Sequence, residues 1–179
     1  MKLLPLLLLL LLPAVVQAQF TFTTNNGAIT ITRYTGSNGV VTIPDTINGR
    51  PVTSIGDNAF FTDAVLTNIF IPDSITSIGV SAFDSCTSLL SVSIPDSVTS
   101  IAEGAFYWCS SLTNATIGSG VMSLSGVFQQ CHSLTHVTVG QSVTNFFAAF
   151  AGCSSLTNVI IPDSVTDLND AFAQLHKSG

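Results

Sequence analysis

The sequence predicts a mainly β repeat solenoid, a right-handed coil of about six rungs with an N-terminal β-hairpin cap. Three observations predict it. Phe recurs at Phe60, Phe83, Phe106, Phe128, Phe150 and Phe172, in steps of 23, 23, 22, 22 and 22 residues. Cys recurs at Cys86, Cys109, Cys131 and Cys153, in steps of 23, 22 and 22. An apolar phrase recurs between them, as Leu66/Ile69/Ile71, Leu89/Val92/Ile94, Leu112/Ala115/Ile117, Leu134/Val137/Val139 and Leu156/Val159/Ile161. Columns of different chemistry that share one period define a unit repeated in space.

The elements follow in chain order. Residues 1–18 read as a secretory signal: Lys2, then an apolar run from Leu3 to Leu12, then Pro13 and the small-x-small site Val16-Gln17-Ala18. The run is too short to cross about 30 Å of hydrocarbon, and the mature chain is expected to start near Gln19. Residues 19–39 read as the cap. Phe20 to Thr32 alternates around Asn25-Asn26-Gly27, a hairpin signal. Residues 40–179 read as the solenoid, with its last repeat incomplete.

Within one unit, Ile69 and Ile71 alternate with Phe70, as a strand with one inward face requires. Pro72 has no N–H for a ladder, so it ends the strand. Asp73 and Ser74 favour a turn. Ile75 to Ile78 is a second extended piece, Gly79 permits a bend, and Ser81 to Phe83 place a small and a large apolar residue inward. Cys86 and Leu89 lead into the next strand.

Composition agrees with this architecture. The chain has 179 residues and is 46% hydrophobic but only 8% charged, where about a quarter is usual. A rung this small buries its apolar face only against its neighbours. Each column then stacks on itself at the strand spacing of about 4.8 Å, and a charged column would repel. Ser, Thr, Asn and Gly stack without that cost. The net charge of -6, with four basic residues, removes a nucleic-acid footprint.

The phrases "LTNVIIPDSVTDLNDAF" and "IPDSVTSIAEGAFYWCSSLTN" closely resemble the repeats of bacterial BspA-like leucine-rich-repeat cell-surface proteins. The resemblance covers about Val40 to Ala173. It implies a leucine-rich-repeat coil, export, and a role as an adhesin or interaction surface that binds an extracellular protein or matrix component, with no enzymatic activity and no cofactor. Three departures stand out. "NGRP", Asn48 to Pro51, is inserted before Val52. Two units replace Ile-Pro-Asp by Ile117-Gly118-Ser119 and Val139-Gly140-Gln141. The final unit ends as "AFAQLHKSG" where "AFxxC" is expected, so a truncated chain or self-association through the C-terminal edge is the rival expectation.

Candidate sites stand beside blander readings. The four cysteines share a column, which favours a structural ladder of free, buried thiols. A Cys86–Cys109 or Cys131–Cys153 disulfide is the alternative, and one column lacks the convergence a metal needs. His132, His136 and His176 could be drawn near Cys131 as a zinc or nucleophile site, but no orienting group or oxyanion site is visible. Asp45, Asp73, Asp96 and Asp163 share the turn column and could hold calcium, but Ser119 and Gln141 interrupt it. Asn114-Ala115-Thr116 is a formal glycosylation sequon in a strand and is discounted.

The stronger candidate is a surface. The outward sheet residues are Asn68, Phe70, Ser91, Ser93, Asn114, Thr116, His136, Thr138, Asn158 and Ile160. Phe70 and Ile160 are apolar on a side that should meet water. The expected function is a protein-binding or adhesion module using that face. A structural self-assembling surface protein, or a fragment of a longer repeat protein, is the alternative. Ice or carbohydrate-surface binding by the Thr-rich sheets is disfavoured, because Met122, Phe70 and Ser93 break the Thr columns.

Overall fold

The computed structural model describes residues 19–174, so the signal-sequence reading of residues 1–18 and the position of His176 lie outside the described residues. Among these residues there is no helix. Twelve short strands form a coil: β1 Phe20–Asn25, β2 Ala28–Tyr34, β3 Val40–Thr42, β4 Thr46–Ile47, β5 Arg50–Ile55, β6 Asn68–Phe70, β7 Ser77–Ile78, β8 Ser91–Ile94, β9 Ser100–Ile101, β10 Asn114–Ile117, β11 His136–Thr138 and β12 Asn158–Val159. They make two sheets. One is parallel throughout, in the order β12-β11-β10-β8-β6-β3. The other runs β1-β2-β5-β7-β9, with β4 on β5.

The cap is the hairpin of β1 and β2, antiparallel around Asn26 and Gly27, whose φ values are 50° and 83°. Two successive left-handed residues match the right-handed strand twist, which is why Asn-Gly makes this turn. β2 then joins β5 in parallel, pairing Ile29 with Val52 and Ile31 with Ile55. All four of these side chains are buried. The inserted Asn48 to Pro51 uses the same chemistry. Asn48 and Gly49 are left-handed, and β4 turns back on β5 as Thr46↔Pro51 and Ile47↔Arg50.

The core is a set of columns. Every residue buried among those described is apolar. The Phe column stacks ring on ring: Phe60–Phe83 at 4.8 Å, Phe83–Phe106 at 4.9 Å, Phe106–Phe128 at 5.3 Å, and Phe128–Phe150 and Phe150–Phe172 at 5.9 Å. The stack continues into the cap, because Tyr34 stacks on Phe60 at 5.3 Å and Phe20 meets Tyr34 at 5.4 Å. The hairpin therefore closes the first rung with aromatic rings as well as with β2.

Each Phe stands between two left-handed residues. The position two before it is Asn58, Ser81, Gly104, Gly126, Ala148 or Asp170; the position two after it is Thr62, Ser85, Trp108, Gln130, Gly152 or Gln174. Backbone bonds link these segments from rung to rung, from Phe60 N–H to Ala82 O, Phe83 N–H to Ala105 O and Phe128 N–H to Ala149 O.

The change of period from 23 to 22 residues has a visible result. In the longer units Gly79 and Ala102 donate back to Ile55 O and Ile78 O, which extends the second sheet as β7 and β9. The shorter units lack that residue. Leu124 donates forward to Asn145 O instead, and only the isolated bridges Ser123↔Asn145 and Asn145↔Asp167 remain. Burial also weakens in the final rung, where Leu156, Val159, Val165 and Phe172 are half-buried and Ile161 and Leu168 are exposed.

Candidate interaction surface

The six-stranded sheet turns one row of side chains outward. β10 pairs in register with both neighbours, so Asn114 lies between Ser91 and His136, and Thr116 between Ser93 and Thr138. His136 in turn pairs with Asn158. Of the ten residues expected on this face, Phe70, Ser91, Ser93, Asn114, Thr116, His136, Thr138, Asn158 and Ile160 are exposed. Asn68 is half-buried, and its amide lies 3.5 Å from the Thr67 hydroxyl.

A threonine column borders the face and orders it. Thr67, Thr113, Thr135 and Thr157 each donate Oγ1 to a carbonyl of the preceding turn of chain: Gly39, Leu90, Thr113 and Thr135. The Asn114 amide and His136 Nδ1 then bond the hydroxyls of Thr113 and Thr135, each at 2.9 Å. Asn114 and His136 are thereby tied, through these hydroxyls, to the backbone beneath them. A second column does the same on the other sheet, where Thr76, Thr99, Thr144 and Thr166 donate to Thr53, Thr76, Met122 and Thr144. The Thr richness thus serves the ladder, a role the sequence reading did not find.

The apolar residues on this side are not evenly spread. Phe70 is 59% exposed and Ile160 is 72% exposed, but they stand on β6 and just beyond β12, with β8, β10 and β11 between them. Val40, Val65 and Leu90 are also exposed and belong to the same N-terminal part of the coil, with Val40 paired to Asn68 and Leu90 bonded to Thr67. Leu90 occupies the threonine column, where it keeps the backbone bond to Thr67 O but has no hydroxyl to add. Sequence reading missed Leu90, whose signal was available in the break it makes in an otherwise Thr column.

The remaining candidates resolve as parts of the fold. All four cysteines are free and buried. Each thiol donates to the Phe carbonyl of the preceding rung: Cys86 to Phe60, Cys109 to Phe83, Cys131 to Phe106 and Cys153 to Phe128, at 3.0–3.1 Å. Burial pushes the Cys86 thiol well above the ordinary range, and a charge on Cys109 would push it further. Burial does the same to Cys131, followed by its hydrogen bond with Cys109. Cys153 is pushed up to about 12, again by burial. All four are buried packing thiols, and burial holds those of Cys86, Cys131 and Cys153 away from the thiolate state a nucleophile needs.

In the first rung Asp63 takes the cysteine position and accepts the Val65 and Leu66 N–H groups, both at 3.1 Å. His132 is exposed while Cys131 faces inward, so the two do not form a pair. His132 bonds Gly152 O through Nδ1 at 3.0 Å. Asp96 accepts the Ser119 N–H at 2.6 Å, and that bond holds its carboxyl below the usual carboxylate range. No three His, Cys, Asp or Glu residues converge as a metal site among the described residues. Gly118 and Gly140 do more than permit a turn. A Cβ on Gly118 would come within 2.5 Å of the Pro95 carbonyl carbon, so the backbones approach too closely there for a side chain.

Stacked rungs of 22–23 residues with parallel in-register strands mark a leucine-rich-repeat solenoid. Residues 52–177 match the BspA type leucine-rich repeat region in six copies, and the chain belongs to that family. Three solved structures are similar. A leucine rich cell surface protein from Faecalibacterium prausnitzii is 31% identical, with 85% of this chain and 53% of that chain covered and a TM-score of 0.54. A leucine-rich repeat protein from Bacteroides capillosus is 31% identical, over 68% of this chain and 94% of that chain, with a TM-score of 0.58. One from Bacteroides ovatus is 26% identical, over 87% and 49%, with a TM-score of 0.61. The chain thus spans about half the length of the Faecalibacterium and Bacteroides ovatus proteins. A search of curated proteins finds no match. Among the described residues no helix is long and apolar enough to cross a membrane.

Proposed function

We propose that this chain is an exported, cell-surface, non-enzymatic binding module that captures an extracellular protein or matrix component on its six-stranded sheet face. The observation that carries this reading is the exposure of Phe70, Val40, Val65 and Leu90 in the N-terminal part of the coil, on a sheet whose Asn114 and His136 side chains are held by the Thr column. Apolar anchors within a polar, preorganised surface are what a protein partner uses. The family match and the surface-protein name of the Faecalibacterium relative support it.

The test is retention of extracellular matrix proteins on immobilised chain, with Phe70→Asp plus Leu90→Asp as one variant and Ile160→Asp as another. Loss of retention with the first variant is expected. Unchanged retention by a folded first variant would remove these residues from the binding site. Ile160→Asp maps whether the far end of the face takes part.

A second reading rests on the last rung. Its half-buried Leu156, Val159, Val165 and Phe172 and the edge strand β12 would pair with a further copy or with further repeats. Light scattering over a concentration series separates this from the first reading, since a strict monomer counts against it.

A further inference from the structure

The fold does not account for Trp108. It is the one tryptophan of the chain, and it stands in the left-handed position after the ladder Phe with φ 54°. Thr62, Ser85, Gln130 and Gly152 fill that position in other rungs. A bulky residue there is disfavoured, and Trp108 gains little burial in exchange, being 46% exposed. Its ring meets Tyr107 edge-on at 5.9 Å and His132 edge-on at 6.1 Å. His132 is itself tied to Gly152 O. The indole is therefore braced at the surface by two neighbours.

Tyr107 also walls a surface cavity of about 370 Å³ that crosses three rungs. Ser81, Asp84, Glu103 and Gln129 supply its polar walls. Gly126 keeps it open, because a Cβ there would lie 2.8 Å from Glu103 Cγ and 2.9 Å from Gln129 Nε2. The cavity lies in the turn segments that carry the Phe ladder, not on the sheet face.

We propose that Trp108, Tyr107 and this cavity bind a neutral oligosaccharide. A sugar ring has an apolar C–H face that stacks on a flat aromatic ring and a rim of hydroxyls that must keep their hydrogen bonds. Tyr107 supplies an apolar wall with a polar tip inside the cavity, and Trp108, edge-on to Tyr107 and outside the cavity lining, supplies a second exposed flat face beside it. The Asp84 and Glu103 carboxylates accept from sugar hydroxyls, and the Gln129 amide both donates and accepts. The volume falls in the usual range for small-ligand sites, about 300–1,000 Å³. A basic peptide would use the carboxylates but has no need of Gln129 or of an exposed indole. An aliphatic protein anchor would not seek two carboxylates.

Because Trp108 is the only tryptophan, its emission reports contact at that one indole. The full chain is titrated with cellohexaose, maltohexaose and N-acetylchitohexaose to about 1 mM, the weak end of specific binding. A saturable blue shift with at least one of them is expected. In affinity gels containing the matching polysaccharide, Trp108→Ala should bind at least about tenfold more weakly. Asp84→Asn should also weaken binding, and neither variant should lower the unfolding midpoint. No emission change with any of the three sugars overturns the proposal. So does a Trp108→Ala variant that binds as tightly as the parent, or a shift produced by a heptalysine peptide and by no sugar.

Discussion

At the scale of single residues, the chain accepts local strain to place its ladder Phe inward. Both residues that flank each Phe at a distance of two are left-handed, yet glycine fills the position before it only at Gly104 and Gly126 and the one after it only at Gly152. Thr62 is the least suited occupant, since a β-branched side chain is a steric outlier at φ 59°. Thr62→Gly should therefore raise stability by about 1 kcal/mol, the relief of a left-handed L-residue less the added freedom of the unfolded chain. Chemical denaturation measures it. The cysteine column makes a prediction about pH. The Cys86, Cys131 and Cys153 thiols are raised in the folded state, Cys153 from 9.0 to about 12, so between those values the folded chain holds protons that the unfolded chain has released. Their contribution is complete below pH 9.0 and is lost as pH rises toward about 12. The melting temperature should fall steeply on going from pH about 8 to pH about 11, and less so in Cys153→Ala. The four thiols should stay silent to a disulfide reagent until denaturant is added.

At the scale of elements, strands of two to four residues survive because side-chain columns supplement their short ladders. Thr113 and Thr135 show the device, each adding a hydroxyl bond to a backbone bond across the same rung boundary. Leu90 omits it and leaves an apolar side chain 48% exposed instead. Leu90→Thr should stabilise the chain by about 0.5–1 kcal/mol through a new bond to Thr67 O. The same change removes one anchor of the proposed protein-binding surface. Opposite signs in a denaturation experiment and in a matrix-retention experiment would mark Leu90 as kept for binding. A gain in stability with no loss of retention would mean that the surface does not need it.

At the scale of the whole molecule, the two ends of the coil differ. The N-terminal rung is closed by β2, Phe20 and Tyr34, while the last described rung leaves Leu156, Val159, Val165 and Phe172 half-buried. In a solenoid each rung is stabilised mainly by its neighbours, so opening is expected to begin in the rung whose core is least buried. Hydrogen exchange should be fastest across residues 156–174 and slowest around Phe83 and Phe106. Uniform protection would show that a second copy covers that edge.

The sequence by itself determined the repeat, its period, the inward columns and the outward row, because each depends on spacing alone. It also marked the Asn26-Gly27 turn, whose chemistry is local. Several features needed the tertiary structure. Tyr34 joins the Phe stack from outside the period, and Asp63 stands in for cysteine where the ladder begins. The loss of one residue per unit ends the second sheet after β9. The exposed Phe70 and Ile160 stand toward opposite ends of the sheet, with three strands between them. The physical reason is common to all four. A period says which residues share a column, but only the stacked coil says which columns, and which ends of them, lie side by side.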